Sequence, residues 1–258
     1  MSSSNPVLGR GFGQNQQYAS WNAPAPSAGD LQDIYDRPAY APTRYLTLDD
    51  VVMKTAATLG VVLVTGTIAW IFNLGALAIV GALVGFVLAL IIAFRQSTNP
   101  ALILSYAAAE GLFLGAISRV FNDLYEGIAI QAVVGTAAVF AGMLVVYKTG
   151  AIRVTPRFTR WLLGALIGVV VLMLVNLIAG LLTPGGLGLR DGGPLAIVFS
   201  LVCIGVAAFS FLLDFDMIDQ GIRRGAPAQF AWYAAFGLTV TLVWLYLEIL
   251  RLLSYFRE

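Results

Sequence analysis

Two carboxylates, Asp214 and Asp216, stand inside a stretch that is otherwise soluble in lipid from Pro194 onward, Phe211-Leu-Leu-Asp-Phe-Asp-Met-Ile-Asp219. A carboxylate at bilayer depth costs roughly 2.5 to 3.5 kcal/mol even on lenient insertion scales, so each needs a partner or a water-filled space. Counting back along a helix from Arg223 and Arg224 places Asp214 about 13 Å inside the membrane edge, well below the headgroups. On a helix Asp214 and Asp216 are about 200° apart and cannot share a face. Asp216, Asp219 and Arg223, by contrast, fall at three- and four-residue spacings. The spacing therefore predicts that Asp214 looks into a helix bundle and that Asp216 joins a polar stripe leading to the surface.

Three further ionisable side chains remain within or at the edge of apolar stretches: Arg95, Glu110 and Glu248. Arg95 ends its stretch on the side that holds Asp214, so the two could meet across a helix interface, or Arg95 could snorkel to the headgroups. Glu110 lies mid-span beside Gly111, where a protonated carboxyl can bond to a backbone or hydroxyl group. Glu248 and Arg251 are three apart and predict an intrahelical pair. Thr241 lies two turns before Glu248 on the same face, a polar stripe that turns from lipid.

The elements that hold these residues are read from the apolar pattern. Of 258 residues, 59% are hydrophobic and 11% charged, a composition of integral membrane proteins. Residues 1–46 are rich in Ser, Asn, Gln, Gly and Pro without a period of 2 or 3.6, which predicts a disordered tail; Trp21 and Tyr40 in it could rest on the membrane interface. No secretory signal pattern precedes the first apolar stretch, so that stretch is expected to direct insertion. Residues 47–258 predict an all-α domain with seven spans at about 52–72, 75–95, 100–120, 127–147, 160–182, 194–218 and 230–252. Turn residues such as Asn99-Pro100, Thr155-Pro156, Pro184-Gly-Gly186 and Gly225-Ala-Pro227 separate them. Arginine and lysine gather before the first span and in the second, fourth and sixth loops, which predicts a cytoplasmic N-terminus and an external C-terminus. Glycines four apart, Gly81 and Gly85, Gly111 and Gly115, Gly164 and Gly168, predict close helix crossings.

The absence of histidine removes Ser-His-Asp triads, HExxH zinc sites and imidazole proton relays, and no enzyme activity is expected. The single Cys203 in an apolar stretch reads as a small core hydrophobe. A net charge of +1 offers no electrostatic footprint for nucleic acid. The lipid bilayer is the expected partner, and no cofactor is implied.

The residues Leu213-Asp-Phe-Asp216, Gly225-Ala-Pro227, Trp232-Tyr233 and Leu242-Val-Trp-Leu-Tyr-Leu-Glu-Ile-Leu-Arg-Leu-Leu253 resemble the last two helices of the Bax inhibitor, or transmembrane Bax-inhibitor-motif, family. Asn99-Pro100, Tyr106 and Glu110-Gly111 resemble its third helix, and the resemblance, to a prokaryotic member, runs over residues 47 to 256. It implies a plasma-membrane protein of seven helices with the last one central in the bundle. It further implies a calcium leak channel whose closed state depends on two carboxylates and an arginine. Asp214 resembles the carboxylate of the sixth helix and Arg95 the arginine. Thr241 stands where calcium-leak members carry their second carboxylate, leaving that role to Asp216 or Glu248.

Two functions of different class follow. One is a pH-sensitive cation leak in which an Asp214 and Arg95 latch closes the pathway and Asp214, with Asp216, offers hard oxygen ligands to Ca²⁺. Its flux is expected to rise and then fall as pH drops, first as protonation releases the latch and then as the ligand loses its charge. Asp216→Asn is expected to shift that profile and Glu248→Gln to leave it alone. The other is a non-transporting regulator that binds a membrane protease or another membrane partner. An intramembrane aspartyl protease is set aside, because two aspartates facing apart on one helix cannot share a proton. A retinal receptor is set aside because the last span lacks a lysine for a Schiff base.

Overall fold

A computed structural model describes residues 44–182 and 186–257; the tail predicted up to residue 46 lies outside them as far as residue 43, as do Trp21 and Tyr40. Seven helices run α1 Leu48–Ile71, α2 Leu77–Arg95, α3 Pro100–Leu124, α4 Ile128–Thr149, α5 Pro156–Leu182, α6 Pro194–Arg223 and α7 Phe230–Tyr255. All seven are long and apolar enough to cross a membrane, and the protein is an all-α polytopic membrane protein.

The helix ends follow from local chemistry. Thr47 caps α1 by accepting from Asp50 N at 3.2 Å, and Asp50 takes Arg44 at 3.0 Å. Proline fills the first turn of α3 and of α6, where its missing N–H is no loss, and Asn99 caps α3 through Ala101 N at 2.9 Å. α5 begins at Pro156, four residues before the predicted start, because Thr155 accepts from Phe158 N at 3.2 Å and opens the helix there. α6 continues to Arg223, five residues past the predicted end. Its last turns are laced by Asp216 with Gln220 at 2.6 Å, Asp219 with Arg223 at 2.9 Å and Gln220 with Arg224 at 2.8 Å. Residues 44–46 belong to the helical unit: Leu46 N donates to Ala226 O and Ala228 N to Arg44 O, each at 2.8 Å, pairing this segment with the turn between α6 and α7.

α7 is central. It packs against α1, α3, α4 and α6, and half of its most apolar stretch is buried, whereas in α5, which packs on α6, the share is 11%. The main apolar cluster surrounds α7 with Leu238, Leu245, Ile249 and Leu250 against Phe211 and Phe215 of α6 and Ile128 and Ala132 of α4. A second cluster joins α5 to α6 through Leu162, Val169, Phe199 and Cys203, so the lone cysteine is a core residue. A third joins α2 and α3 to α7, with Tyr106 set edge-on to Phe236 at 5.0 Å. The large apolar side chains left exposed on α2 and α5 are what a lipid-facing surface requires.

Of the three glycine pairs, two sit in close crossings. Gly111 and Gly115 of α3 lie against Val62, Thr65 and Gly66 of α1, and Gly81 and Gly85 of α2 lie against Ala109, Glu110 and Phe113 of α3. The third prediction is corrected: Gly164 and Gly168 of α5 have open space where a Cβ would be, because α5 turns Leu162 and Val169 inward instead.

Candidate functional site

Five polar side chains gather about ten residues, or about 15 Å, from the helix ends that share one side of the bundle: Thr58 of α1, Glu110 of α3, Asp214 of α6, and Thr239 and Thr241 of α7. They form the polar level at mid-membrane, and α7 supplies its axis. Thr239 and Thr241 are about 200° apart on α7 and so face different neighbours. Thr239 is fully buried and its hydroxyl meets that of Thr58 at 3.1 Å. Thr241 donates to Asp214 Oδ2 at 2.8 Å, sharing its proton with Gly237 O at 3.2 Å. Gly237 lies beside the other oxygen, where a Cβ would make an ordinary contact of 3.7 Å with Asp214 Oδ1.

Asp214 is partly buried and turned into the bundle, and among the described residues no ion pair reaches it. The predicted meeting with Arg95 is not formed. Arg95 is exposed at the end of α2, whose inward face at that level is taken by Ile92, so its side chain lies at the surface. Thr241, read from the sequence as a gap where a carboxylate was due, is instead the direct partner of Asp214. Asp216 points away from Asp214 and accepts from Gln220 Nε2 at 2.6 Å. The two carboxylates offered as ligands to one Ca²⁺ therefore do not converge, and among the described residues no three His, Cys, Asp or Glu gather as a metal site. Glu110 lies across from Gly85, whose missing side chain leaves room for the carboxyl: a Cβ there would stand 2.9 Å from Oε1.

A second polar level lies toward the other end of the bundle. Glu248 is 2% exposed and is gripped by Arg190 through Nη2 to Oε1 at 3.0 Å and Nη1 to Oε2 at 3.4 Å, a fork that suits a carboxylate. Arg251, the predicted partner, stands farther off at 3.7 Å. Arg190 also lies over the Phe199 ring at 5.6 Å. Two residues before Glu248, Tyr246 of α7 shares a hydrogen bond of 2.6 Å with Ser118 of α3. Sequence reasoning missed Arg190, Thr58 and Ser118. For Arg190 a signal existed: a carboxylate as deep as Glu248 needs more than an adjacent arginine on its own helix, and Arg190 is the arginine of the loop before α6.

The arrangement can hold a negative charge at mid-membrane with one hydroxyl donor, and keep a neutralised carboxylate locked at the far end. A family model described as Bax inhibitor 1 like matches residues 5–258. An uncharacterized protein of Chlamydia muridarum (strain MoPn / Nigg) is 31% identical over 126 residues, 48% of either chain. The chain thus spans about half the length of that curated relative, whose bacterial source supports a prokaryotic member.

Proposed function

The chain belongs to the Bax inhibitor 1 like family of membrane proteins, and from that premise we propose that it is a pH-sensitive cation leak pathway, with Ca²⁺ as the ion, gated at Asp214. The observation that carries this reading is the Asp214 carboxylate, turned into the bundle at mid-membrane with a single hydroxyl, Thr241, as its hydrogen-bond partner among the described residues. A carboxylate kept there without a cation is costly, and such groups line ion paths rather than stabilise folds. Ca²⁺ prefers hard oxygen ligands, and carboxylate, hydroxyl and backbone carbonyl oxygens are all at this level. A weak, single-carboxylate stop suits an ion in transit. In this conformation the latch is the contact between Asp214 and Thr241 and not one with Arg95, which would reach Asp214 only after a helix movement. A non-transporting regulator of a membrane partner needs no such group, so flux that depends on Asp214 separates the two readings.

Thr241→Val removes the donor and keeps the shape. With a hydrogen bond to a charged group lost, the closed form should weaken and Ca²⁺ leak in liposomes should rise about tenfold. Leak equal to the unaltered protein would remove Thr241 from the latch.

The charge pattern supports an N-terminus in the cytoplasm and a C-terminus outside. Lys148, Arg153, Arg157, Arg160, Arg223 and Arg224 crowd one end of the bundle. At the other end Arg119, Arg190, Arg251 and Arg257 are each held by acceptors: Trp70 O and Asp123, Glu248, Glu248 again, and Glu126 O with Gln131. Reporter fusions should report the two termini on opposite sides; the same side for both would contradict this.

A further inference from the structure

At the end of the bundle that carries the α2–α3 and α6–α7 turns, a cavity of about 590 Å³ opens between α1, these two turns and the start of α7. Its lining includes Lys54, Gln96, Ser97, Asn99, Gln229 and Trp232, and no carboxylate. Lys54 is fixed in place: its Nζ donates to Ala228 O at 3.1 Å and lies 5.8 Å from the centroid of the Trp232 ring. An ammonium has three donors, so two remain for the cavity. The neighbouring polar groups are used in a one-sided way. Ser97 Oγ accepts from Asn99 N at 3.3 Å and Asn99 Oδ1 accepts from Ala101 N at 2.9 Å. Each thereby uses one of its two acceptor sites, and the Ser97 hydroxyl proton and the Asn99 amide N–H groups are left to donate. The carboxylate nearest along α1, Asp50, is taken by Arg44 and Thr47. The start of α3 contributes little of its own, since Pro100 has no N–H and Ala101 N is already capped.

A fixed cation with free donors beside it, no acid in the cavity wall and its nearest carboxylate along α1, Asp50, already held by Arg44 and Thr47, selects an anion. We propose that this cavity binds a phosphate group, carried by an anionic phospholipid headgroup or free in solution, with Lys54 as the charge that recognises it. The cavity lies at the helix ends, with an indole in its wall, and tryptophan is the side chain enriched where membrane helices meet the headgroups. This site is independent of Asp214, about ten residues further along its own helix from the same end.

The test uses the full chain purified in neutral detergent. Native mass spectrometry with added phosphatidylglycerol or phosphatidylcholine measures retained lipid, and calorimetry with inorganic phosphate measures the soluble ligand. Anionic lipid or phosphate should bind, and Lys54→Gln should weaken that binding about tenfold, as expected for a lost charged hydrogen bond. Lys54→Arg should retain it. Gln229→Leu, an exposed wall position that leaves the fold alone, should weaken it about threefold and serves if Lys54→Gln does not fold. Lys148→Gln, an exposed cation at the same end, should change nothing. Retention of phosphatidylglycerol without competition by inorganic phosphate assigns the headgroup, and calorimetric binding of phosphate assigns the free ion; both support the site. Binding of neither probe, undiminished binding in both Lys54→Gln and Gln229→Leu, or an equal loss in Lys148→Gln would overturn it.

Discussion

Arg190→Met should destabilise the protein by about 3–5 kcal/mol, the penalty for leaving a buried charge without its partner. Glu248 is 2% exposed and loses both of its short contacts in that variant, keeping only Arg251 at 3.7 Å. The double variant Arg190→Met with Glu248→Met should recover most of the loss, because an apolar pair fills the same volume without an ion to desolvate. Thermal unfolding in detergent of the single and double variants measures this. Additive losses would mean that the two side chains do not act as a pair. Because the fork joins the loop before α6 to the last third of α7, it also sets the depth at which α7 sits, and with it the level of Thr241.

The second large effect lies at the crossing of α1 and α3. At Gly115 a Cβ would overlap the backbone of Gly66, and backbone, unlike a side-chain tip, cannot move aside. Gly115→Val should force the helices apart at a cost of about 3 kcal/mol or more. Gly164→Val, in the same kind of motif but facing open space, should stay within about 0.5 kcal/mol. Similar melting of the two variants would contradict the assignment of one glycine pair to packing and the other to lipid.

These two cases mark what was legible in the sequence. Spans were legible because each must satisfy its own backbone and present about twenty apolar residues, and the turn residues between them interrupt that pattern. Local pairs were legible for the same reason: Asp219 and Arg223 are neighbours on any helix, and they pair at 2.9 Å. The separation of Asp214 from Asp216 followed from helical geometry alone. Partners across helices were not legible. Arg190 grips Glu248 over 58 positions and Thr58 meets Thr239 over 181, distances at which a single sequence carries no register. The same gap separates the glycine pairs, since a four-residue spacing fixes a face of the helix but not what that face meets. Arg95 illustrates the limit from the other side. Its place at the end of α2 was read correctly, and the rotation of α2 that buries Ile92 and leaves Arg95 at the surface was not readable from spacing.

The central claim is that the Asp214 carboxylate admits the ion and senses its pH. The proton that weakens the contact with Thr241 is the same one that removes the charge attracting a cation, so both effects fall in one titration; because the charge is what admits the ion, flux should fall in a single step as pH drops rather than rise first. Asn at position 214 keeps the shape, offers no charge and does not titrate. The measurement is Ca²⁺ flux into liposomes across the pH range for the unaltered protein and Asp214→Asn, with folding of both checked by thermal melting. The account predicts a flux that falls in one step on acidification for the unaltered protein and a flat profile, near that of protein-free liposomes, for Asp214→Asn; an equally large flux with the same pH dependence in the variant would contradict it.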